Sequence, residues 1–224
     1  MPAVRDLNKA KRRDAILDAA MSLFGERAND DITTEEIAAL AGVAPATVYN
    51  LIGTRSQVLT ALVVRVLGRL AESLAELDPD QPIEAAQLVV DQTVAAFVAN
   101  SKAFRQVVAI AQRSAANHQL GIDPSEFQVA AMRRAQELGI IRPELDAGAL
   151  GRQIFLSYTG ALTLWSAGRL DDEGFATAAR HGLFTVLVAA ATDGHRAPFV
   201  EAWQQTGAAL EHDAWHRTRP SPTA

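Results

Sequence analysis

Between Thr33 and Gln57 the chain carries two helix starts and two helix stops in quick succession. Thr33 followed by Glu36, and Thr54 followed by Gln57, are capping boxes, in which each side chain satisfies a free backbone N–H at a helix start. Gly42 and Gly53 are left-handed C-cap residues that end what each start begins. Pro45 sits where a missing N–H does no harm, in the first turn of a new helix. These signals leave room only for two short helices joined by a tight glycine turn. Upstream, about Lys9 to Arg27, the residues Ile16, Ala20, Leu23 and Phe24 recur at helical spacing and make one apolar stripe of a longer supporting helix. A long helix followed by two short ones with this turn is a helix-turn-helix.

The remainder reads as helices as well. A fourth runs from Thr54 to about Leu77, with Val58, Leu62, Val66, Leu70 and Leu74 on one face and Arg65, Arg69, Glu72 and Glu76 as expected surface ion pairs on another. "DPDQP", residues 78–82, is the clearest break. Helices are expected over about 83–99 and 102–116. Another begins at "DPSE", with Asp123 as cap, Pro124 in the first turn and Glu126 completing the box, and ends at Gly139. Two apolar helices, about 146–167 and 172–192, are joined by "GRLDD", and a last one covers about 198–212. No strand pattern and no repeat occurs. The fold expected is all-α: a helix-turn-helix domain over 1–54, a larger helical ligand-binding and dimerisation domain over 55–213, and a disordered tail over 214–224.

Charge is distributed unevenly behind a net value of -5. Residues 1–13 carry +4, residues 14–36 carry -6, residues 37–71 carry +3 with no acid at all, and the rest carries -6. An overall acidic balance therefore leaves room for an anionic partner, because local potential is what binds it. The absence of cysteine excludes disulfides and thiolate metal sites and fits a reducing compartment. The basic N-terminus lacks an apolar signal core, and "LFTVLVAAA" is too short to span a bilayer, so a cytoplasmic protein is expected. His212 and His216 have helical i, i+4 spacing but no third ligand in view, so no metal is expected. His118, His181 and His195 read as isolated. No phosphate-binding Gly-rich loop and no nucleophile or metalloprotease motif occurs, so neither an enzyme nor a cofactor is expected.

The second short helix, about Ala44 to Leu51, is the expected recognition helix. Val48, with Leu51 or Ile52, should pack inward, leaving Pro45, Ala46, Thr47 and Asn50 on the outer side. Small side chains there let a helix sit deep in the major groove. Asn50 can pair with adenine, and a methyl of Thr47 or Ala46 can touch thymine. Phosphate is expected at Tyr49 and Arg55 and at the helix starts Thr33–Thr34 and Thr54–Arg55, with Thr34 favoured over the capping Thr33. The basic arm of Arg5, Lys9, Lys11, Arg12 and Arg13 is either an ordinary solvated start or a further DNA contact.

"TTEEIAALAGVAPATVYNLIGTRSQVL", with "RDAILDAAMSLFGER" upstream, resembles the DNA-binding domain of the TetR family of bacterial transcriptional regulators over about residues 13–62. The elements that carry the likeness are Thr33-Thr34, Ile37-Ala38, Ala41-Gly42-Val43 and Thr47-Val48-Tyr49. Where the family pattern has an aromatic run after the Tyr, this chain has Asn50-Leu51-Ile52. Arg55 stands for the usual Lys, and Ala44 for the usual Ser. The resemblance implies a repressor that binds a palindromic operator as a homodimer and is released by a small apolar effector. Ligand candidates are Phe97, Phe104, Phe127, Met132, Phe155, Tyr158 and Trp165, with core packing as the competing role of each. The small and apolar residues Gly151, Gly160, Ala178, Gly182 and Val186 mark a dimer interface, since a single copy would leave much apolar surface exposed. A DNA-binding dimer without an effector, and a helical carrier or enzyme with a vestigial DNA domain, remain as alternatives.

Overall fold

The computed structural model describes residues 4–27, 32–113 and 123–210. These form ten helices: α1 (Val4–Glu26), α2 (Thr34–Leu40), α3 (Pro45–Leu51), α4 (Arg55–Ala75), α5 (Pro82–Val98), α6 (Ser101–Arg113), α7 (Glu126–Glu137), α8 (Ala147–Ser166), α9 (Asp172–Ala190) and α10 (Arg196–Ala209). Among the described residues the only β-type pairing is an isolated bridge between Ile141 and Ala191. The expected tail and the pair His212 and His216 lie outside the described residues, as does His118.

The chain divides into two compact units. The described residues within Met1–Gly68 and Phe97–Gly121 make one, and those within Arg69–Ala96 and Ile122–Ala224 make the other. The dividing line thus falls inside α4 rather than at residue 54, and α6 joins the N-terminal helices.

In the first unit the expected stripe of α1 is the core: Ile16, Ala20, Leu23 and Phe24 are all buried, against Ile37 and Ala38 of α2, Val48 of α3 and Val58 and Leu62 of α4. Both capping boxes form. The Thr33 hydroxyl accepts from the Glu36 N–H while Glu36 accepts from the Thr33 N–H. At α4, Gln57 Oε1 accepts from the Thr54 N–H at 2.7 Å and Thr54 Oγ1 accepts from the Gln57 N–H at 3.4 Å. Gly42, with φ of +66°, makes the turn between α2 and α3 in a region that side chains with a Cβ rarely adopt. Arg65 differs from expectation. Its partner is Asp18 of α1, at 2.6 Å, rather than an acid of its own helix. On α6, Lys102 donates to the Glu26 carbonyl and Gln106 to those of Phe24 and Arg27, so that α6 caps the end of α1.

The second unit is built on α7, α8 and α9, with α10 against α9. Met132, Ile154, Trp165, Phe175, Leu183 and Leu187 are fully or almost fully buried at its centre. Asp146 and Asp171 cap α8 and α9 through the N–H groups of Ala149 and Gly174. The expected capping box at "DPSE" does not form. The Asp123 carboxylate accepts instead from the Ser125 N–H at 2.9 Å, the helix starts at Glu126 with no side-chain cap, and Glu126 faces Arg133. A short polar turn about Asp123 competes with the cap for the same carboxylate, and here it wins.

Candidate functional site

The outer side of α3 is the most distinctive surface of the first unit. The helix is only two turns long, and Val48 is its one fully buried residue. Pro45, Ala46, Tyr49 and Asn50 are exposed and Thr47 is half-buried. Tyr49 keeps 50 % of its surface open, unusual for a large aromatic that could have packed inward. From the other end, Arg13 of α1 donates to the Leu51 carbonyl at 3.0 Å, tying the last turn of α3 to α1. Leu51 and Ile52 are half-buried, so the "NLI" stretch divides between an outward Asn50 and two residues turned partly into the corner.

Next to α3 stand the two capped helix starts. Thr33 is exposed, and its hydroxyl is already engaged in its cap. Thr34, favoured over it from sequence, is only 6 % exposed. Its side chain packs inward, so what it has to offer an anion is its backbone N–H. Thr54 is exposed and also engaged in a cap, while Arg55 beside it is half-buried. Leu40, 55 % exposed at the end of α2, adds apolar surface that the sequence pattern did not single out. No acid lies between Ile37 and Ala71. The nearest acid before the stretch, Glu36, is held by the Thr33 N–H and by Arg27 at 2.9 Å, which together keep its carboxyl below the usual range. On α1, Lys9, Lys11 and Arg12 are exposed.

The sequence model of bacterial regulatory proteins, tetR family, matches residues 16–62, the supporting helix through the first two turns of α4. The chain belongs to the TetR family. Over 61 residues it is 38 % identical to the HTH-type transcriptional regulator BetI of Rhizobium meliloti (strain 1021), a stretch covering 27 % of this chain and 30 % of that protein. Likeness to solved structures extends further along the chain. SmeT, the repressor of the Stenotrophomonas maltophilia multidrug efflux pump SmeDEF, matches with a TM-score of 0.64 and 25 % identity over 82 % of this chain and 92 % of that one. FadR of Thermus thermophilus, a TetR family repressor in complex with lauroyl-CoA, matches with a TM-score of 0.61 and 21 % identity over 78 % and 93 % of the two chains.

In this TetR family chain the ligand candidates are not one cluster. Phe97 and Phe104 lie in the first unit, their rings 4.6 Å apart. Phe127, Met132, Phe155, Tyr158 and Trp165 lie in the second. Trp165 is fully buried, donates through Nε1 to Asp172 at 2.7 Å and stacks on Phe175 at 5.1 Å. It is fastened as core. Met132 is fully buried too, whereas Phe127 and Phe155 are half-buried. Tyr158 stands 5.7 Å from Phe175, and its buried hydroxyl makes no hydrogen bond. Gln128, missed from sequence, is 2 % exposed and carries an amide oxygen without a partner. A lone glutamine on the inner stripe of α7 was the signal that could have found it.

The interface candidates also divide. A Cβ on Gly151 would come within 2.5 Å of the Val129 backbone, and one on Gly182 within 2.7 Å of the Ser157 Cβ. Val186 is 7 % exposed. These three are small or apolar because helices of their own chain approach there, which corrects the reading of them as surface awaiting a second copy. Gly160 has open space about it and Ala178 is half-buried. Among the described residues no group of three or more His, Cys, Asp or Glu side chains is placed to hold a metal, and no helix is long and apolar enough to cross a membrane.

Proposed function

We propose that the protein is a cytoplasmic transcriptional repressor that binds a palindromic operator as a homodimer and is released by a small molecule. The observation that carries this reading is the outer side of α3. Pro45, Ala46, Tyr49 and Asn50 stand exposed on a two-turn helix, within a stretch that has no acid to repel phosphate. Asn50 and Thr47 read base edges, while Tyr49, Arg55 and the helix starts at Thr33–Thr34 and Thr54 fix the register on the backbone. Of the sequence-based division, 1–54 is the DNA-binding part, 55–213 the ligand and dimer part, and 214–224 the tail.

Two copies related by a two-fold axis present their recognition helices to successive major grooves about 34–36 Å apart. The proposed dimer surface is the open side of α8, where Leu156 is 60 % exposed one turn from Gly160. SmeT represses an efflux pump, its complex with triclosan has been solved, and FadR holds lauroyl-CoA. These neighbours support a small apolar effector in the second unit. Such an effector acts only by binding the DNA-free state more tightly.

The test is selection of bound sites from random DNA with the purified full-length chain, followed by titration of the selected site. A palindromic consensus bound by two copies supports the reading. Absence of DNA binding even at low salt, where phosphate contacts are strongest, overturns it.

A further inference from the structure

Buried polar residues are scarce in this protein. Among the described residues they are Thr34, Thr93, Ser125 and Gln128, and none is charged. Two side-chain atoms buried in the second unit break the rule that such groups find partners: Gln128 Oε1 on α7 and Tyr158 Oη on α8. Each costs free energy as it stands, because its bonds to water are lost and nothing replaces them.

Their placement is related. Gln128 Nε2 donates to the Ala86 carbonyl of α5 at 3.0 Å, which fixes the amide and leaves its oxygen turned away. The missing side chain of Gly151 lets α8 close against Gln128 and Val129 at the same level. Seven residues on, Thr93 of α5 lies beside the Tyr158 hydroxyl of α8. The Thr93 hydroxyl donates to the carbonyls of Val89 and Val90, and no hydrogen bond closes between the two hydroxyls. The two orphaned atoms therefore belong to levels two helical turns apart along α5 and α8, about 10 Å at 1.5 Å per residue. A bridging water needs two to four polar partners, and the surroundings supply few: helical carbonyls, the Phe175 ring and a hydroxyl whose proton is committed.

We propose that Gln128 and Tyr158 are the polar anchors of a binding site in the second unit for a neutral, elongated aromatic molecule with a hydroxyl or amide group at each end. This rests on the reading of that unit as the ligand-receiving part of a regulator, and names the class of ligand. One end donates to Gln128 Oε1, which as an amide oxygen only accepts. The other end pairs with the Tyr158 hydroxyl, which can donate or accept. Burial pushes the Tyr158 phenol far above its ordinary value, so it stays a neutral donor at any physiological pH. The ligand is uncharged because no buried charge awaits it. The ion pair of Asp91 and Arg180 is half-exposed and already closed at 2.7 Å. Phe175, between Tyr158 and Trp165, supplies an aromatic wall.

The experiment titrates the full-length chain, without DNA, with biphenyl carrying a para hydroxyl on each ring, with the mono-hydroxyl and unsubstituted biphenyls, and with the corresponding dicarboxylate. Calorimetry reads affinity, and a thermal melt reads the free protein. The diol should bind about tenfold more tightly than the mono-hydroxyl compound, and the dicarboxylate not at all. Tyr158→Phe should leave the ligand-free melting temperature unchanged or raised while weakening the diol about tenfold. Gln128→Met, which keeps the volume and removes the oxygen, should weaken it similarly. Failure of the wild type to bind the diol, equal binding of diol and unsubstituted biphenyl, or a lowered ligand-free melting temperature in Tyr158→Phe would each overturn the proposal. The last would mean that the hydroxyl serves the fold. A chain that binds the diol and no DNA upholds this site and overturns the repressor reading, so the two fail separately.

Discussion

α3 and α8 use small residues to opposite ends. On α3 the small residues face outward: Pro45 and Ala46 are exposed, and the helix keeps only Val48 for the core. On α8 they face inward: Gly151 admits the α7 backbone and Ala161 is buried, while the large Leu156 is 60 % exposed. A residue type does not announce its role. On a two-turn helix, small outward residues keep a surface low enough to enter a groove. On a five-turn helix, small inward residues are demanded by close packing, and the surface role falls to what is left over.

The largest effect that could break this comparison is expected at Gly151. Gly151→Val places atoms well inside contact distance of the Val129 backbone, which cannot swing aside as a side chain can. A loss of about 3 kcal/mol or more is expected, read as a lower melting temperature with the second unit losing hydrogen-exchange protection first. Gly160→Ala, with open space around it, should be neutral or gain up to about 1 kcal/mol from helix propensity. Equal effects at the two glycines would mean that α7 and α8 do not meet as described.

On α3 the expected losses are in binding rather than stability. Asn50→Ala should cost about 1–3 kcal/mol at one operator position and relax sequence preference there, whereas Arg55→Ala should weaken all sequences and lower the salt slope by about 1. Tyr49→Phe should weaken all sequences severalfold with an unchanged melting temperature, since the ring is half in solvent. Uniform loss of folding stability in these variants would make α3 another packed helix and erase its contrast with α8.

The same contrast explains what could be read from sequence. The turn, both capping boxes and the buried Val48 are dictated by residues within four positions of one another, and all appear where the pattern placed them. The role of Thr34 was not legible, because adjacent threonines both suit a helix start and only tertiary packing buries the second. Gly151, Gly182 and Gln128 were misread or missed for the same reason. Their neighbours are Val129, Ser157 and Ala86, distant in sequence and set by how long helices cross. Phe97 and Phe104 satisfied the aromatic criterion for a pocket yet pair with each other in the other unit.

A smaller effect is expected at the cap of α2. Thr33→Ala removes the hydroxyl that accepts from the Glu36 N–H and should cost about 1 kcal/mol. Because Thr34 stays buried, DNA binding by the folded protein should change little. A large loss of affinity at unchanged stability would instead give Thr33 a direct phosphate contact.

The smallest effect is one of pH and concerns the packing of α9 and α10. His181 Nδ1 lies 3.0 Å from Thr206 Oγ1, and its ring stacks on Trp203 with centroids 5.5 Å apart. Partial burial pushes its pKa below the ordinary 6.5. The unfolded chain then takes up the proton more readily than the folded one, so stability is fully present above the unfolded value and declines as pH falls through it toward the folded value. Glu36 and Asp123, both lowered by hydrogen bonds to backbone N–H groups, also lose stability on acidification, but in the range of carboxylates and equally in both proteins compared. His181→Phe keeps an aromatic ring against Trp203 and removes the titration. Its melting temperature relative to wild type should therefore climb as pH falls from neutrality to about 5, the span in which an ordinary histidine titrates. Parallel melting curves across that span would show that the ring is no less hydrated in the folded chain than in the unfolded one, and would leave α10 loosely held on α9.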